Sequence, residues 1–210
     1  MIRILIADDH TIVREGLKQI FVDTSDLIVT GEAQNGLEVL KKIKNMQFDV
    51  VLLDISLPDN SGLDILKQLK SQRPDLPVLI LSMHPEEQYA IRSLRAGASG
   101  YLTKESASQE LIAAIRRVTE GRKYITSSLA EKIAIEMESE KTEPLHDCLS
   151  DREYQVLCML ASGKTVKEIA LLLSLSVKTI STHRSRILNK MMMKNNAQLI
   201  RYAIKHNLVD

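Results

Sequence analysis

Five side chains of complementary chemistry are spread over the first half of this 210-residue chain: Asp8 and Asp9 together, then Asp54, Ser82 and Lys104. Three carboxylates at close range repel one another, so their joint ionisation needs a cation. Hard oxygen donors with room for water suit Mg2+, held by Asp9 and Asp54 with Asp8 acting through water. One carboxylate of such a site can act as nucleophile and form an acyl phosphate. The Lys104 ammonium and the Ser82 hydroxyl would then bind phosphoryl oxygens as charge develops on them.

Any one Asp taken alone is more often a helix cap or a solvated loop residue; Asp59 and Asp64, near Pro58 and Gly62, read that way. What separates the five is where the surrounding pattern puts them. Short apolar runs at Ile2–Ala7, Leu27–Gly31, Val50–Leu53, Val78–Leu81 and Gly100–Leu102 predict strands. Helical spacing falls between them, at about His10–Val22, Gly36–Met46, Gly62–Ser71, Glu86–Ala96 and Ser108–Glu120. Five βα units in this order imply a doubly wound parallel sheet covered on both faces. Ligands of such sheets bind beyond the carboxyl ends of the strands. Asp8-Asp9, Asp54, Ser82 and Lys104 all stand at those ends. His10 caps or leads the first helix in this reading.

After the fifth unit the pattern changes. Ser127–Met137 fits a short amphipathic helix through Leu129, Ile133 and Met137, and the charged, aperiodic Glu138–Asp147 reads as a flexible linker. The expected division is 1–125, then a linker with a short helix at 126–148, then 149–210. The last part is wholly helical. Ser150-Asp-Arg-Glu153 and Thr165-Val-Lys-Glu168 are capping boxes, Gly163 stops the first helix, and Ser176 caps a third over Val177–Met191. A fourth runs from about Asn196 to Lys205. The turn Ser174-Leu175-Ser176 has the length a helix-turn-helix needs.

Charge divides the same way. Residues 148–210 hold ten Lys/Arg against four Asp/Glu, whereas the rest of the chain is net acidic. The C-terminal part is therefore suited to a polyanion. With Ile180, Ile187 and Met191 facing inward, the opposite side of the third helix carries Lys178, Ser181, Thr182, Ser185, Arg186 and Asn189. Such residues can bond base edges and phosphates, and Lys178 and Thr179 near the helix start suit phosphate. Few aromatics interleave with them, which favours duplex over single-stranded nucleic acid. The plainer alternative is a solvated basic surface. Leu199, Ile200, Ala203 and Ile204 form an apolar stripe on the last helix, for the core or for a dimer.

No apolar run approaches the roughly 20 residues of a membrane span. The first run is too short for a signal peptide. Cys148 and Cys158 show neither metal nor disulfide spacing, which fits a reducing cytoplasm, with Cys158 in the core.

Residues 1–125 resemble a two-component receiver domain through Asp8-Asp9, Asp54, Leu57-Pro58, Gly62, Ser82 and Tyr101-Leu-Thr-Lys104. The resemblance implies a sheet of order 2-1-3-4-5 and phosphorylation of Asp54 by a sensor histidine kinase. It also implies a Mg2+ ligand in the Ser56 carbonyl and a switch through Ser82 and Tyr101. Ser56 and His84 match positions that tune dephosphorylation. Many receivers carry Pro after the lysine, where this chain has Glu105. Residues 149–210 resemble a NarL/FixJ (LuxR-type) output domain through Leu149-Ser-Asp-Arg-Glu153, Ala161-Ser-Gly163, Glu168-Ile-Ala170, Ser176-Val-Lys-Thr-Ile180, His183 and Lys190-Met191. Arg122-Lys-Tyr-Ile-Thr126 and Val166 are most similar to the GacA/UvrY group. Together these imply a transcriptional regulator whose phosphorylated form dimerises, pairing through the last helix on duplex DNA with two half-sites, and no enzyme beyond its own phosphotransfer and dephosphorylation. Many relatives carry Lys-x-His where this chain has Ser181-Thr182-His183. A haloacid-dehalogenase-type phosphatase would need D-x-D after the first strand, where this chain has adjacent Asp8-Asp9. The remaining alternative is a receiver acting through protein partners, its tail a generic helical bundle.

Overall fold

The computed structural model describes residues 1–58, 61–138 and 144–209. It divides into two compact units, Met1–Ala134 and Ile135–Asp210.

The first unit carries five parallel strands, β1 (Ile2–Ala7), β2 (Leu27–Ala33), β3 (Val50–Asp54), β4 (Val78–Ser82) and β5 (Gly100–Thr103), in the order β2-β1-β3-β4-β5. Helices α1 (Thr11–Val22), α2 (Gly36–Asn45), α3 (Gly62–Gln72), α4 (Glu86–Arg95) and α5 (Ser108–Thr119) alternate with them. Ile4, Ile6, Val50, Leu52, Leu79, Leu81 and Leu102 form one core with Phe21 of α1 and with Leu111, Ile115 and Val118 of α5. The alternate residues Leu5, Val51, Leu53, Ile80 and Tyr101 are buried as well and face the other way. Burial on both faces is why these strands read as unbroken apolar runs.

β2 continues two residues past the expected Gly31. Its register against β1 shifts between Ile4 and Leu5, so that Ile4 pairs with Val29 and Leu5 with Gly31. This irregularity, with the polar Glu32, hides the strand's end from a period-two reading. The other boundaries agree with the sequence to within a residue or two.

Helix α6 (Ser127–Glu138) follows. Leu129 is buried and Ile133 half-buried, whereas the Met137 side chain lies outside the described part of the chain, as does Asp59. Asp64 stands in the first turn of α3, where a carboxylate favours a helix start.

The second unit contains α7 (Asp151–Ala161), α8 (Val166–Leu172), α9 (Val177–Lys190) and α10 (Asn196–Lys205). Both expected capping boxes form, on Ser150 with Glu153 and on Thr165 with Glu168. Gly163, with φ of 83°, follows α7 as expected. α7 is the hub, packing on α8, α9 and α10. The expected flexible linker needs correction at its end: Leu145–Cys148 is a 3-10 turn. There Nδ1 of His146 lies 2.9 Å from the Tyr202 hydroxyl, and the Tyr202 and His206 rings stack at 4.2 Å. Residues 139–143 of that expectation lie outside the described residues.

Candidate functional site

The order of the sheet reverses between β1 and β3, opening a crevice beyond their carboxyl ends. Asp8 follows the last residue of β1, Asp54 closes β3, Ser82 closes β4 and Lys104 follows β5. The Lys104 Nζ lies 2.6 Å from Oδ2 of Asp8 and 2.8 Å from Oδ2 of Asp54. These groups are nearly dry, with side-chain exposures of 9% for Lys104, 3% for Asp8 and 2% for Asp54. Oδ1 of Asp54 accepts the Ser56 N–H at 3.0 Å. The Ser82 hydroxyl accepts the His84 N–H at 3.1 Å, and the Tyr101 hydroxyl donates to the His84 carbonyl at 2.8 Å. Tyr101 is 1% exposed.

Close packing leaves the β3 end little freedom. A Cβ on Gly62 would come within 2.3 Å of the Asp54 carbonyl oxygen. No other residue fits this start of α3 without backbone movement.

Two residues of the cluster were not assigned from the sequence. His10 leads α1 as expected, but its side chain makes no cap bond. Instead its Nδ1 lies 2.8 Å from Asp9 Oδ1 and 3.3 Å from Asp8 Oδ1. Arg14, buried, donates to the Asp8 carbonyl at 2.8 Å and pairs with Glu32 at 3.0 Å. Adjacency to Asp9 was the available signal for His10. Arg14 gave none, because its partner Glu32 lies on the irregular end of β2.

Burial pushes the Asp54 carboxyl above its usual range, against the pull of Lys104. Burial opposes the Lys104 charge, but Asp54 and Asp8 outweigh it and hold its pKa above the ordinary lysine value. The excess of negative charge lies in the residues themselves, with Asp8, Asp9 and Asp54 gathered around the single ammonium of Lys104. Ligand atoms of Asp8, Asp9, His10 and Asp54 all lie within 4.8 Å of one another. An oxygen-rich, under-neutralised cluster of this size fits a hard divalent cation.

In the second unit α9 presents Lys178, Ser181, Thr182, Ser185, Arg186 and Asn189 to solvent, while Ile180, Ile187 and Met191 are buried. Thr179, expected as a phosphate contact, also takes part in the start of α9. It is half-buried, its N–H bonds the Ser176 hydroxyl at 3.0 Å, and the two hydroxyls lie 2.8 Å apart. Both groups help to cap α9. Thr182 and Ser185 donate to the carbonyls of Lys178 and Ser181 one turn earlier, which leaves their oxygens as acceptors. Lys190 points away from this set, pairing with Glu153 at 2.6 Å. His183 is half-buried, and burial followed by nearby Arg152 holds its imidazole below the usual range. The stripe on α10 splits. Leu199 and Ala203 are fully buried, Ile200 is half-buried and Ile204 is 52% exposed. Among the described residues no helix is long and apolar enough to cross a membrane.

Comparison with known proteins agrees with both halves. Residues 4–116 match the response regulator receiver domain, and residues 147–203 match the bacterial regulatory proteins of the luxR family. The chain is 37% identical to the response regulator UvrY of Escherichia coli, over all of this chain and 97% of that protein. It is 35% identical to the response regulator GacA of Pseudomonas aeruginosa, over all of this chain and 99% of that protein. Among solved structures, RcsB from Salmonella enterica serovar Typhimurium, bound to promoter rprA with the phosphomimetic BeF3−, is 26% identical with a TM-score of 0.64, covering 96% of this chain and 98% of that one. A receiver sheet with its acidic crevice, followed by a helix-turn-helix unit and matched along its whole length, places this chain among the response regulators that control transcription through a LuxR-type DNA-binding domain.

Proposed function

We propose that Asp54 accepts a phosphoryl group from a sensor histidine kinase and that this controls how α9 engages duplex DNA. The observation that carries the reading is Lys104 between Asp8 and Asp54, a buried ammonium poised beside the nucleophile. In the transfer, a carboxylate oxygen of Asp54 forms the new bond to phosphorus and the donor's P–N bond breaks. Lys104 and the Ser82 hydroxyl take up phosphoryl oxygens, and the Ser56 N–H keeps the carboxylate oriented. Asp9, Asp54 and the Ser56 carbonyl would hold Mg2+, with Asp8 through water; when bound, the ion neutralises the carboxylates and the incoming phosphate. Ser56 and His84 flank the acyl phosphate and set its rate of hydrolysis; in this reading the chain catalyses only its own phosphotransfer and dephosphorylation.

The switch runs through Ser82 and Tyr101, which bond the N–H and the carbonyl of His84 respectively. On α9, Lys178 and Arg186 supply phosphate and base contacts with Ser181, Thr182, Ser185 and Asn189. Thr179 sets the helix start. Two copies pair on half-sites through the outward part of α10, Ile200 and Ile204, whereas Leu199 and Ala203 belong to the core. The reading places the chain in the cytoplasm as receiver (1–125), linker and output domain (149–210).

The direct test is phosphate incorporation from labelled acetyl phosphate. Asp54→Asn should reduce it to background; labelling at the wild-type level would move the nucleophile elsewhere.

A further inference from the structure

The chain leaving α5 does not run free to α6. Lys123 Nζ bonds the Ala98 carbonyl, the Tyr124 N–H donates to the Ser99 carbonyl at 2.8 Å, and Tyr124 pairs in parallel with Gly100 at the outer edge of β5. A Cβ on Gly100 would come within 2.7 Å of the Tyr124 oxygen, so the strap needs glycine there. The Tyr124 hydroxyl donates to Glu110 of α5 at 2.8 Å; burial, then Glu110, push the phenol up to about 12, so it remains a donor.

The strap ends in a shared contact. The Thr126 hydroxyl lies 2.7 and 2.8 Å from the two carboxylate oxygens of Glu86, the first residue of α4. The same hydroxyl accepts the Leu129 N–H at 3.1 Å, and the Thr126 carbonyl accepts the Ala130 N–H at 3.0 Å. Thr126 is therefore the cap of α6. One carboxylate stands at the start of two helices, where negative charge is favoured at both.

Glu86 is the far end of a short loop that begins at Ser82. The intervening His84 is held at its N–H by the Ser82 hydroxyl and at its carbonyl by Tyr101. Pro85 then fixes the direction of the chain, with φ of −56°. If the Ser82 hydroxyl turns to a phosphoryl oxygen on Asp54, the His84 N–H loses its acceptor and the stiff segment from His84 to Glu86 must shift. Interfaces of this kind break rather than stretch.

We propose that the Glu86–Thr126 contact is the coupling element between acceptor site and linker: phosphorylation of Asp54 withdraws Glu86 and loosens the start of α6, the segment that leads to the DNA-binding unit. The inference rests on Asp54 being the acceptor.

The test uses the full chain with Mg2+, with and without beryllium fluoride as a phosphoryl mimic. Hydrogen exchange is followed at the amides of 129–134, and adduct formation at Asp54 by fluorine NMR. In the wild type, exchange should quicken about five- to ten-fold on adduct formation, the size of a lost helix cap. Thr126→Val and Glu86→Ala should exchange quickly from the start and ignore the mimic, and Thr126→Ser should restore the response. A complete adduct with unchanged α6 exchange would overturn the coupling alone, as would a wild-type response in Thr126→Val. Absence of any adduct would remove Asp54 as acceptor, and the coupling with it.

Discussion

The backbone N–H of Lys104 donates to the carbonyl of Ser82 at 2.8 Å, so the ends of β4 and β5 are joined beside the crevice that holds Asp54. The two groups proposed to bind phosphoryl oxygens are thereby tied together by one backbone hydrogen bond. Preorganisation of this kind lets charge be stabilised without rearrangement at the moment it forms.

Lys104 should matter more for coupling than for acceptance. In Lys104→Ala, Asp54 should still be phosphorylated while the gain in DNA affinity on phosphorylation falls from an ordinary allosteric range, roughly 5- to 150-fold, to near unity. Binding titrations on phosphorylated and unphosphorylated protein read this directly. Wild-type coupling in the variant would remove the lysine from the signalling path.

The surplus of buried carboxylate predicts stabilisation by a divalent cation. At a hundred-fold excess over its Kd, Mg2+ should stabilise the first unit by about 2.7 kcal/mol, visible as a rise in its melting temperature. Asp9→Asn and Asp54→Asn should each shrink the rise. A melting curve indifferent to Mg2+ in the wild type would contradict the proposed ligands.

Lys178 and Lys190 lie on the same helix and should behave differently. Lys178 is exposed among the outward polar residues, so Lys178→Ala should weaken binding to all duplexes alike and reduce the salt slope by about one unit. Lys190 is spent on Glu153, a carboxylate only 4% exposed, so Lys190→Ala should leave that slope alone and lower thermal stability instead. Equal salt slopes for the two variants would contradict this division of the helix.

Glu153 gives the second unit an acid sensitivity. Burial raises its pKa, but Lys190 and the Ser150 N–H outweigh burial and hold the carboxyl below its ordinary value of 4.5. A folded pKa below the unfolded one contributes stability that is present above the unfolded value and lost as pH falls through the folded one. Unfolding of the second unit should therefore ease progressively below about pH 4.5, and Glu153→Gln should flatten that part of the profile. A variant as acid-sensitive as the wild type would assign the effect to other carboxylates.

The architecture, and the meeting of Asp8, Asp9, Asp54 and Lys104 at one edge of the sheet, were legible because strands buried on both faces leave unbroken apolar runs whose ends locate the crevice. The capping boxes were legible because both partners lie within four residues. What escaped was held by distant or irregular contacts. Glu32 continues β2 beyond a register shift, Arg14 reaches back to the Asp8 carbonyl, and His146 meets Tyr202 from 56 positions away. The apolar stripe of α10 showed periodicity, but periodicity alone could not say which half faced α7. The part Thr179 takes in capping α9 was not read from the sequence, where a hydroxyl near a helix start serves equally well for phosphate.

The pairing of Tyr124 with Gly100 has a consequence for solubility. β5 is a terminal strand of the sheet, and unpaired peptide groups along such a margin invite pairing with another molecule. The residues after α5 shield part of that margin. A fragment cut short before Tyr124 would uncover it and should self-associate with rising concentration, whereas one extended through Ala134 should stay monodisperse under the same conditions.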